Sequence, residues 1–332
     1  MKPTISVILP FKNEEAFILE CLQSFSTQKS DQFQTELILV DDSSTDNGPA
    51  IISVFAESQS NIQLVANSGN GIVRALNTGI EFSSGEFISR MDGDDVMPPN
   101  KLEVLFSLLQ NSADVSTGKV SYFASGKDLG DGFKRYESWL NQLVDTREYF
   151  GQIYRECPIA SPNWMMSRKA FDSIGGFGDR YPEDYDLVFR MKAAGLIVDG
   201  ADEVTHLWRD HDLRASRNDP NYLDNSFLQL KCDHFSLTNF SEERPLILIG
   251  AGSRGKQIAK HLTSKITSWI TNNIQKQGHI ISDIKLDSFQ DHKFSESNLY
   301  ISTLSSPDER KEIDGIFSSF ELIEGQDYFH FC

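Results

Sequence analysis

In the stretch 86-EFISRMDGDDVMPPNK-101, an apolar run ends abruptly at three acids, Asp92, Asp94 and Asp95. The run before the acids has the β-branched and aromatic residues of a buried strand. Two prolines follow, and the apolar spacing of 100-NKLEVLFSLLQ-110 predicts that a helix begins directly after them. A core strand therefore carries three carboxyl groups to the edge of a sheet.

The sequence allows two interpretations of these acids. Asp92 and Asp94 are separated by one residue and can bind one hard cation together with a diphosphate. Alternatively, the acids belong to a solvated loop and cap the helix that follows. A calcium loop of the EF-hand type is excluded, because it needs an oxygen ligand and then a glycine where this chain has Val96 and Met97.

Strand-like and helix-like segments alternate through the first hundred residues. The strand-like segments are 4-TISVILP-10, 36-ELILVDD-42 and 62-IQLVAN-67, and the helix-like ones are 14-EEAFILECLQSF-25 and 72-IVRALNTGIEF-82. This alternation predicts a mostly parallel sheet with helical crossovers, in which ligands bind at the carboxyl ends of the strands. Three of those ends are polar, at residues 10–14, 41–46 and 92–95, and we expect them to converge on one edge.

The order of the segments changes beyond residue 114. We predict a strand at 114–124, a Gly- and Asp-rich loop at 125–133, aromatic-rich stretches to about 166, helices at 168–175 and 183–195, a strand at 203–209 and a helix near 221–237. Loop chemistry in 241-SEERP-245 then separates a second unit, in which 246-LILIGAGSRGKQIAKHL-262 reads as strand, glycine-rich turn and helix, with strands near 279–284 and 299–303 and a helix near 307–320. The predicted fold class is α/β, with one domain at 1–240 and a smaller α/β domain at 241–332.

Composition limits the classes of protein that fit. Of the 332 residues 39% are hydrophobic, and the net charge is −17, which predicts a soluble protein that binds neither bulk nucleic acid nor an anionic membrane surface. No run approaches the roughly 18 apolar residues of a membrane span, and the first strand begins too early for a signal peptide. We therefore expect a cytoplasmic protein, with its four cysteines as reduced thiols. An acidic protein that holds a phosphorylated ligand usually needs a cation.

Two polar motifs follow the second and third strands. In 41-DDSSTD-46, the oxygen-bearing side chains can accept hydrogen bonds from a base and a ribose, or cap the next helix instead. In 67-NSGNGIVRALNTG-79, the glycines permit a tight turn, and Arg74 and Asn77 follow at helical spacing. Arg74 fits a phosphate ligand and also a solvated arginine. Neither motif decides between its two roles by itself.

A third motif, 182-PEDYDLVFR-190, predicts a helix with proline before its start and acids in its first turn. Asp184 lies at helical spacing from core residues of this helix, so we expect it on the inward face, where it can act as a base at a cleft wall. The alternative is compensation of the helix dipole. Asp186, four residues before Arg190, is expected to form an exposed ion pair with it.

The segment 208-WRDHDLRASR-217 is dense in arginine and histidine within an acidic region. It favours an anion or metal site, with His211 as an imidazole ligand and with Arg209 and Arg214 as phosphate donors. A surface loop of mixed charge is the alternative.

In their order and spacing, these motifs resemble the family 2 glycosyltransferases of the GT-A fold. The resemblance covers roughly residues 3–217 and rests on PFKNE (10–14), LVDDSSTD (39–46), GIVRALNTG (71–79), RMDGDD (90–95), GGF (175–177) followed by PEDYDL (182–187), and WRDH (208–211). It implies a nucleotide-sugar donor, for which we expect a UDP-sugar, an Mn²⁺ or Mg²⁺ ion, and inversion at the anomeric carbon. A glycan or lipid-linked glycan would be the acceptor, in the synthesis of surface polysaccharide. A lipid-linked acceptor would bring the chain to the inner face of the membrane without a transmembrane segment.

The resemblance also implies roles for the matching residues. Asp184 would be the general base, Glu183 would contact the acceptor, and Asp94 with His211 would hold the metal. Trp164 lies where acceptor sugars commonly stack, although a buried tryptophan fits that position as well. The residues expected to bind the donor are Pro10, Phe11, Lys12, Glu14, Asp41, Asp42, Asn67, Gly71, Arg74, Asn77, Asp92, Arg209 and Arg214. Lys12 departs from the family pattern, because many members have an aromatic residue there, and this puts stacking on the base in doubt.

The C-terminal unit resembles Rossmann-like nucleotide-binding modules. Gly250, Gly252 and Gly255 form GxGxxG between a strand and a helix, and Asp283 beyond a second strand is the candidate partner for a ribose. A packing or oligomerisation module is the alternative, which leaves a homo-oligomer open.

Two other functions compete with sugar transfer. A sugar nucleotidyltransferase would carry a basic glycine-rich loop after its first strand, where this chain has PFKNEE. A non-catalytic module that binds a sugar nucleotide would have no need of the predicted base Asp184. We therefore rank both below a glycosyltransferase.

Overall fold

The computed structural model of the chain describes residues 2–124, 129–212, 214 and 226–332. The chain divides into two compact units, one of Met1–Tyr149 with Ile159–Asn218 and one of Phe150–Pro158 with Asp219–Cys332. The second unit therefore takes in residues from both sides of the boundary that the sequence places at residue 240, and that boundary stays a prediction. Within the described ranges, no helix combines the length and the apolar character that a membrane span requires.

The first unit is a mixed α/β fold. Its strands are β1 (Thr4–Phe11), β2 (Gln34–Asp41), β3 (Ile62–Ala66), β4 (Phe87–Arg90), β5 (Val115–Ala124), β6 (Trp164–Ser167) and β7 (Val198–Asp210). Its helices are α1 (Ile18–Ser26), α2 (Gly48–Ala56), α3 (Ile72–Phe82), α4 (Lys101–Leu109), α5 (Asp131–Thr146), α6 (Arg168–Ser173) and α7 (Glu183–Ala193). The described strands form one sheet in the order β3-β2-β1-β4-β6-β5-β7, and β6 alone among them runs antiparallel to its neighbours. The predicted mostly parallel α/β fold is confirmed.

The carboxyl ends of β1, β2 and β4 meet at one edge of this sheet, as the sequence predicts. Phe11 pairs with Asp41 across β1 and β2, and Ile8 pairs with Arg90 across β1 and β4. The pairing register of β1 and β2 is stabilised by the buried apolar core that these strands share with α1 and α4. Burial of each large apolar side chain in such a core contributes about 1.5–3 kcal/mol to the free energy of unfolding. The polar loops are therefore attached to a stable part of the fold.

Helix α5 was not predicted from the sequence. It occupies residues 131–146, where we expected a loop and irregular aromatic stretches. Its aromatic residues Phe133, Tyr136 and Trp139 pack beside a buried cluster that includes Tyr122 and Trp208. Aromatic residues are enriched in strands, so the composition of this stretch does not by itself indicate a helix.

The second unit contains its own sheet. Its strands are β8 (Leu246–Ile249), β9 (Ile266–Thr271), β10 (Ile280–Ile281), β11 (Ile284–Ser288), β12 (Leu299–Ser302) and β13 (Tyr328–His330), and its helices are α8 (Ser226–Thr238), α9 (Ser253–Leu262) and α10 (Pro307–Ser319). The described strands lie in the order β10-β11-β9-β8-β12-β13, parallel except for β10. Strand β9 was not predicted. Asn272 follows this second strand, whereas Asp283 lies in the turn between β10 and β11, so the expected placement of Asp283 is wrong.

Residues 150–158 join the second unit through an aromatic cluster. The ring of Tyr154 stacks on Phe331 with centroids 4.9 Å apart, and it meets the rings of Phe235 and Phe329 edge-on at 5.8 and 5.3 Å. Aromatic pairs of this geometry add to the stability that their burial provides. This cluster ties a short early segment to the last residues of the chain.

A chain that ends at residue 240 is expected to aggregate, because it keeps Tyr154 and Phe235 but loses the rings of Phe329 and Phe331. It also loses Glu324, whose carboxylate accepts two hydrogen bonds of 2.8 Å from Arg155. Removing one buried aromatic side chain costs about 3–5 kcal/mol, a large part of the stability of a domain. Size-exclusion chromatography and near-UV circular dichroism check the expectation. A monomeric 1–240 chain with a cooperative unfolding transition would instead support the boundary predicted from the sequence.

Candidate active site

The loops after β1 and β2 are locked together at the polar edge of the sheet. The side-chain oxygen of Asn13 accepts a hydrogen bond of 2.7 Å from the Thr45 amide, and the Asn13 amide donates to the Ser44 hydroxyl at 3.0 Å. Asn13 and Ser43 have φ angles of 59° and 65°, a conformation that non-glycine residues adopt rarely and that recurs at functional sites. The motifs PFKNE and DDSSTD therefore form one surface.

Asp42 brings residues of three motifs together on this surface. Its Oδ1 accepts hydrogen bonds from Asn67 Nδ2 at 2.6 Å and from the Gly71 amide at 3.0 Å, and its Oδ2 lies 3.7 Å from Lys12 Nζ. Asp41 instead accepts a hydrogen bond within its own turn at 2.8 Å. Of these two aspartates, both expected to bind the donor, Asp42 is the one that connects the surrounding loops.

Arg90 links the acid loop to the helix that carries the predicted base. Its Nε donates to Asp92 Oδ1 at 3.1 Å, and its Nη1 donates to Glu183 Oε1 at 2.8 Å, with both Arg90 and Glu183 buried. Burial disfavours the charge of Arg90, but the carboxylates of Asp92, Glu183 and Asp184 outweigh it and raise the pKa, so the guanidinium stays charged. The end of β4 and the start of α7 are thereby held side by side.

Asp184 lies beside this ion pair, partly buried in the first turn of α7. Burial and the adjacent carboxylate of Glu183 raise the pKa of Asp184 to about 7, against the opposing charge of Arg90. A carboxylate with a pKa near neutrality suits a general base, because it can hold and release a proton at the working pH. Its side chain also accepts a hydrogen bond from the Tyr185 amide at 2.7 Å, which orients it.

Asp94 and His211, which the family resemblance pairs as metal ligands, lie side by side in the structure. His211 Nε2 lies 2.9 Å from Asp94 Oδ2, and the imidazole packs against the ring of Phe17 at 4.5 Å. The second ring nitrogen, Nδ1, is buried and has no hydrogen-bond partner among the described residues. A buried polar atom without a partner calls for an explanation, and a bound ion or water is one.

A divalent cation fits the charge of this region. Burial raises the pKa of Glu14 to about 8, and the nearby carboxylates of Asp94 and Asp92 add to the shift, so several acids lie close together here. In the described part of the chain, no group of three or more His, Cys, Asp or Glu side chains is arranged around a metal position. Asp94 and His211 would supply two ligands, and Mg²⁺ in proteins usually completes its shell with substrate phosphate oxygens and water.

The sequence model of the family described as Glycosyl transferase family 2 matches residues 6–175, which is more than half of the chain. The chain belongs to glycosyltransferase family 2. The match includes the acid loop and ends before α7, so Asp184 and His211 lie outside it.

Several curated glycosyltransferases align with the chain over part of their length. Glycosyltransferase GlyG of Streptococcus pneumoniae is 31% identical over 39% of this chain and 46% of its own. Probable glycosyltransferase YdaM of Bacillus subtilis is 27% identical over 59% of this chain and 48% of its own length. Glycosyltransferase AglE of Haloferax volcanii is 32% identical over 61% of this chain and 66% of its own length. The chain thus spans less than half of the length of the first two.

Solved structures share the fold of this family 2 chain. Residues 1–349 of S. aureus TarS, in complex with UDP-GlcNAc, superpose with a TM-score of 0.55 at 18% identity, over 79% of this chain and 72% of TarS. Mannosyltransferase PcManGT from Pyrobaculum calidifontis, in complex with GDP-Man and Mn²⁺, gives a TM-score of 0.52 at 21% identity, over 71% of this chain and 64% of its own. At these identities the likeness supports the GT-A fold alone.

A buried charge network supports the acid loop of the family 2 domain, and two of its members, Lys101 and His206, were not predicted from the sequence. Asp95 Oδ2 lies 3.0 Å from His206 Nε2, and His206 Nδ1 lies 3.2 Å from Lys101 Nζ. Burial lowers the pKa of Lys101 to about 7 and raises the pKa of Asp95. Asp95 therefore orients the loop rather than capping α4. The sequence does contain a signal for this network: Lys101 lies at a core-facing position of the predicted helix, and a buried charge requires partners.

Arg209 holds the same loop through two hydrogen bonds. It is buried, its Nε donates to the Asp94 carbonyl at 2.7 Å, and its Nη2 donates to Glu20 at 2.6 Å. Arg214 lies over the Trp208 ring at 4.7 Å. Their roles as phosphate donors stay predictions, and the geometry of Arg209 favours a role in positioning Asp94.

The remaining donor residues are placed around the edge of the site. Arg74 forms an exposed ion pair with Glu81 at 3.2 Å, and Asn77 Nδ2 donates to the Phe177 carbonyl of the GGF segment at 3.1 Å. Pro10 and Phe11 are buried at the end of β1, with Phe11 in the apolar core. Their predicted contacts with a donor stay predictions. In the structure, Pro10 and Phe11 pack at the end of β1, next to the polar loops.

Trp164 is only 2% exposed, and its ring stacks near Phe171 at 6.2 Å between centroids. Its stacking on an acceptor stays a prediction that this burial does not favour.

The ion pair of Asp186 and Arg190 is present at 2.7 Å, but Asp186 is buried, so the expectation of an exposed pair is wrong.

Proposed function

We propose that the chain is an inverting glycosyltransferase that moves a sugar from a nucleoside-diphosphate sugar, a UDP-sugar in the first instance, to a hydroxyl group of a glycan or lipid-linked glycan. The observation that carries the proposal is the double contact of Arg90 with Asp92 and Glu183. Through Arg90, Asp92, which is expected to face the donor, is linked to the helix turn that carries Asp184, the expected base. The cytoplasmic location and the role in surface polysaccharide synthesis belong to the same proposal.

On the donor side, Asp42 with Asn67 and Gly71 would receive the base and ribose, and Asp92 the donor sugar or ribose. Asp94 and His211 would hold a divalent cation. A cation bound there supplies neutralisation of the charge that develops on the departing diphosphate. The structures of TarS with UDP-GlcNAc and of PcManGT with GDP-Man and Mn²⁺ support a sugar nucleotide and a cation in this fold.

On the acceptor side, Asp184 would take the proton from the attacking hydroxyl. The new bond from that oxygen to the anomeric carbon forms as the bond from the anomeric carbon to the diphosphate oxygen breaks. The acceptor enters on the face opposite the leaving group, so one displacement inverts the configuration. Glu183 is buried and accepts a hydrogen bond from Arg90, which favours a role in positioning the first turn of α7, where Asp184 lies. Its contact with the acceptor belongs to the same proposal.

A panel of UDP-, GDP- and dTDP-sugars with Mn²⁺ or Mg²⁺ tests this function. We expect release of nucleoside diphosphate from one donor with acceptor glycans supplied, and loss of that release after chelation. NMR of the product should show the anomeric configuration opposite to that of the donor. Absence of turnover across the panel, in a chain that still binds a nucleoside diphosphate by calorimetry, would favour a non-catalytic sugar-nucleotide module.

A further inference from the structure

Lys101, the first residue of α4, is a fully buried lysine. Its Nζ donates a hydrogen bond of 2.6 Å to the Pro162 carbonyl and lies 3.2 Å from His206 Nδ1. Removing an ammonium group from water is costly even where it finds partners, whereas an apolar side chain of similar length gains from burial. Packing alone therefore does not explain a lysine at this position.

The contacts of Lys101 set the direction of the hydrogen bonds through His206. Burial and the nearby charge of Lys101 lower the pKa of His206 well below its usual value, so the ring is neutral and carries one N–H. An ammonium group can only donate, which makes His206 Nδ1 the acceptor. The ring proton then lies on Nε2, which donates to Asp95 Oδ2 at 3.0 Å.

Asp95 is held on both of its carboxylate oxygens by residues of β7. His206 binds Oδ2, and the backbone amide of Arg209 donates to Oδ1 at 2.8 Å. The next residue of the acid loop, Val96, exchanges two backbone hydrogen bonds of 3.1 Å with Leu207 of the same strand. The acid loop is thus fixed along β7 at the position of Asp95.

This attachment reaches the expected metal ligands. Asp94 directly precedes Asp95, and His211 directly follows the end of β7. The distance of 2.9 Å between Asp94 and His211 therefore depends on how the loop is held against the strand. Residues that only orient a metal ligand change metal affinity by about 10–100-fold when they are mutated.

We propose that Lys101 is a positioning residue of the cation site. It directs the N–H of His206 to Asp95, and Asp95 in turn holds Asp94 within reach of His211. The inference rests on the proposed function, because the cation site belongs to that function.

Histidine NMR on the metal-free chain tests the direction of these hydrogen bonds. Long-range proton–nitrogen correlations distinguish a ring protonated at Nε2 from one protonated at Nδ1, and the signal that disappears in His206→Gln identifies His206. We expect the Nε2–H form in the parent chain at neutral pH. In Lys101→Met the Nδ1 resonance should shift, because that nitrogen loses its donor. An Nδ1–H form in the parent chain would overturn the proposal.

Two amide substitutions at position 206 separate positioning from packing. Glutamine reaches about as far as the Nε2 atom of histidine and can still donate to Asp95, whereas the shorter asparagine cannot. We expect His206→Asn to weaken Mn²⁺ binding by about 10–100-fold, and His206→Gln to bind Mn²⁺ nearly as the parent chain does. Electron paramagnetic resonance with Mn²⁺ and UDP measures both affinities.

Lys101→Met should weaken Mn²⁺ binding by about 10–100-fold as well. Lys231→Met is the matched control, because Lys231 is a buried lysine of the second unit that donates to the Arg155 carbonyl at 2.9 Å. This control should bind Mn²⁺ as the parent chain does. The pair of variants at position 206 decides the question if Lys101→Met does not fold.

The outcomes separate this inference from the proposed function. Equal Mn²⁺ affinities of Lys101→Met and the parent chain, or of His206→Asn and His206→Gln, would overturn the role of Lys101 and leave the proposed function in place. A parent chain that binds no Mn²⁺ would overturn the proposed cation site, and this inference with it.

Discussion

Replacing Asp184 by asparagine is expected to lower kcat by about 10³-fold while the Kd of the donor stays unchanged. Asparagine keeps the size of the side chain and its hydrogen bond to the Tyr185 amide, but it cannot accept a proton from the acceptor. A positioned general base typically contributes about 10²–10⁴-fold to a rate. Single-turnover kinetics measure the first quantity, and calorimetry with the nucleoside diphosphate and Mn²⁺ measures the second.

Asp172→Asn is the matched control, because Asp172 is an exposed acid on α6, outside the site. It should transfer sugar at the parent rate. Asp184→Asn should also unfold at a temperature no lower than the parent at pH 8. The reason is that a carboxyl group whose pKa is raised on folding binds its proton more tightly in the folded state, so its ionisation opposes folding as pH rises. Normal transfer by Asp184→Asn would show that another group is the base.

The pH profile supplies a second readout of the same assignment. The base must be ionised to act, and the pKa of Asp184 is raised to about 7 by burial and by Glu183. Activity of the parent chain should therefore fall as the pH drops below about 7. Glu183→Gln removes the carboxylate that helps to raise the pKa, so the acid limb should move to lower pH. A limb that stays in place in Glu183→Gln would contradict this origin of the shift.

The sheet edge was predictable from the sequence because its signals are local. Strand periodicity with polar residues at the strand ends requires only that the strands run parallel, and β1, β2 and β4 do. The helical spacing that placed Asp184 among core-facing residues is local in the same sense. The approach of Asp94 to His211, by contrast, joins residues 117 positions apart. It was expected from the family resemblance, which carries long-range information that spacing lacks.

The partners of the buried charges could not be predicted in this way. Arg90 is part of the motif RMDGDD, yet its contact with Glu183 spans 93 positions and depends on where α7 packs. Lys101 and His206 are likewise joined only through the fold. A buried charge in a predicted core element indicates that a partner exists, but the identity of that partner is set by tertiary packing.

Replacing Asp94 by asparagine is expected to weaken Mn²⁺ binding by at least about 100-fold and to lower kcat/KM by about 10³-fold. Even residues that only orient a metal ligand change affinity by about 10–100-fold when mutated, and Asp94 would be a ligand itself. The cation is expected to supply several kcal/mol of stabilisation to the leaving diphosphate, and each 1.36 kcal/mol is about tenfold in rate. Electron paramagnetic resonance with Mn²⁺ and UDP measures the binding, and steady-state kinetics measure the rate.

The same experiment separates a metal ligand from a structural residue. Asparagine can keep a hydrogen bond with His211, and Asp94 is partly exposed, so the variant should unfold at the same temperature as the parent. His211→Gln should show a smaller loss of Mn²⁺ affinity, because a carboxylate is the preferred ligand of a hard cation. Raising the Mn²⁺ concentration should restore part of the activity of Asp94→Asn and none of the activity of Asp184→Asn, since the cation cannot replace a base. Full activity of Asp94→Asn at low Mn²⁺ would mean that the cation lies elsewhere along the acid loop.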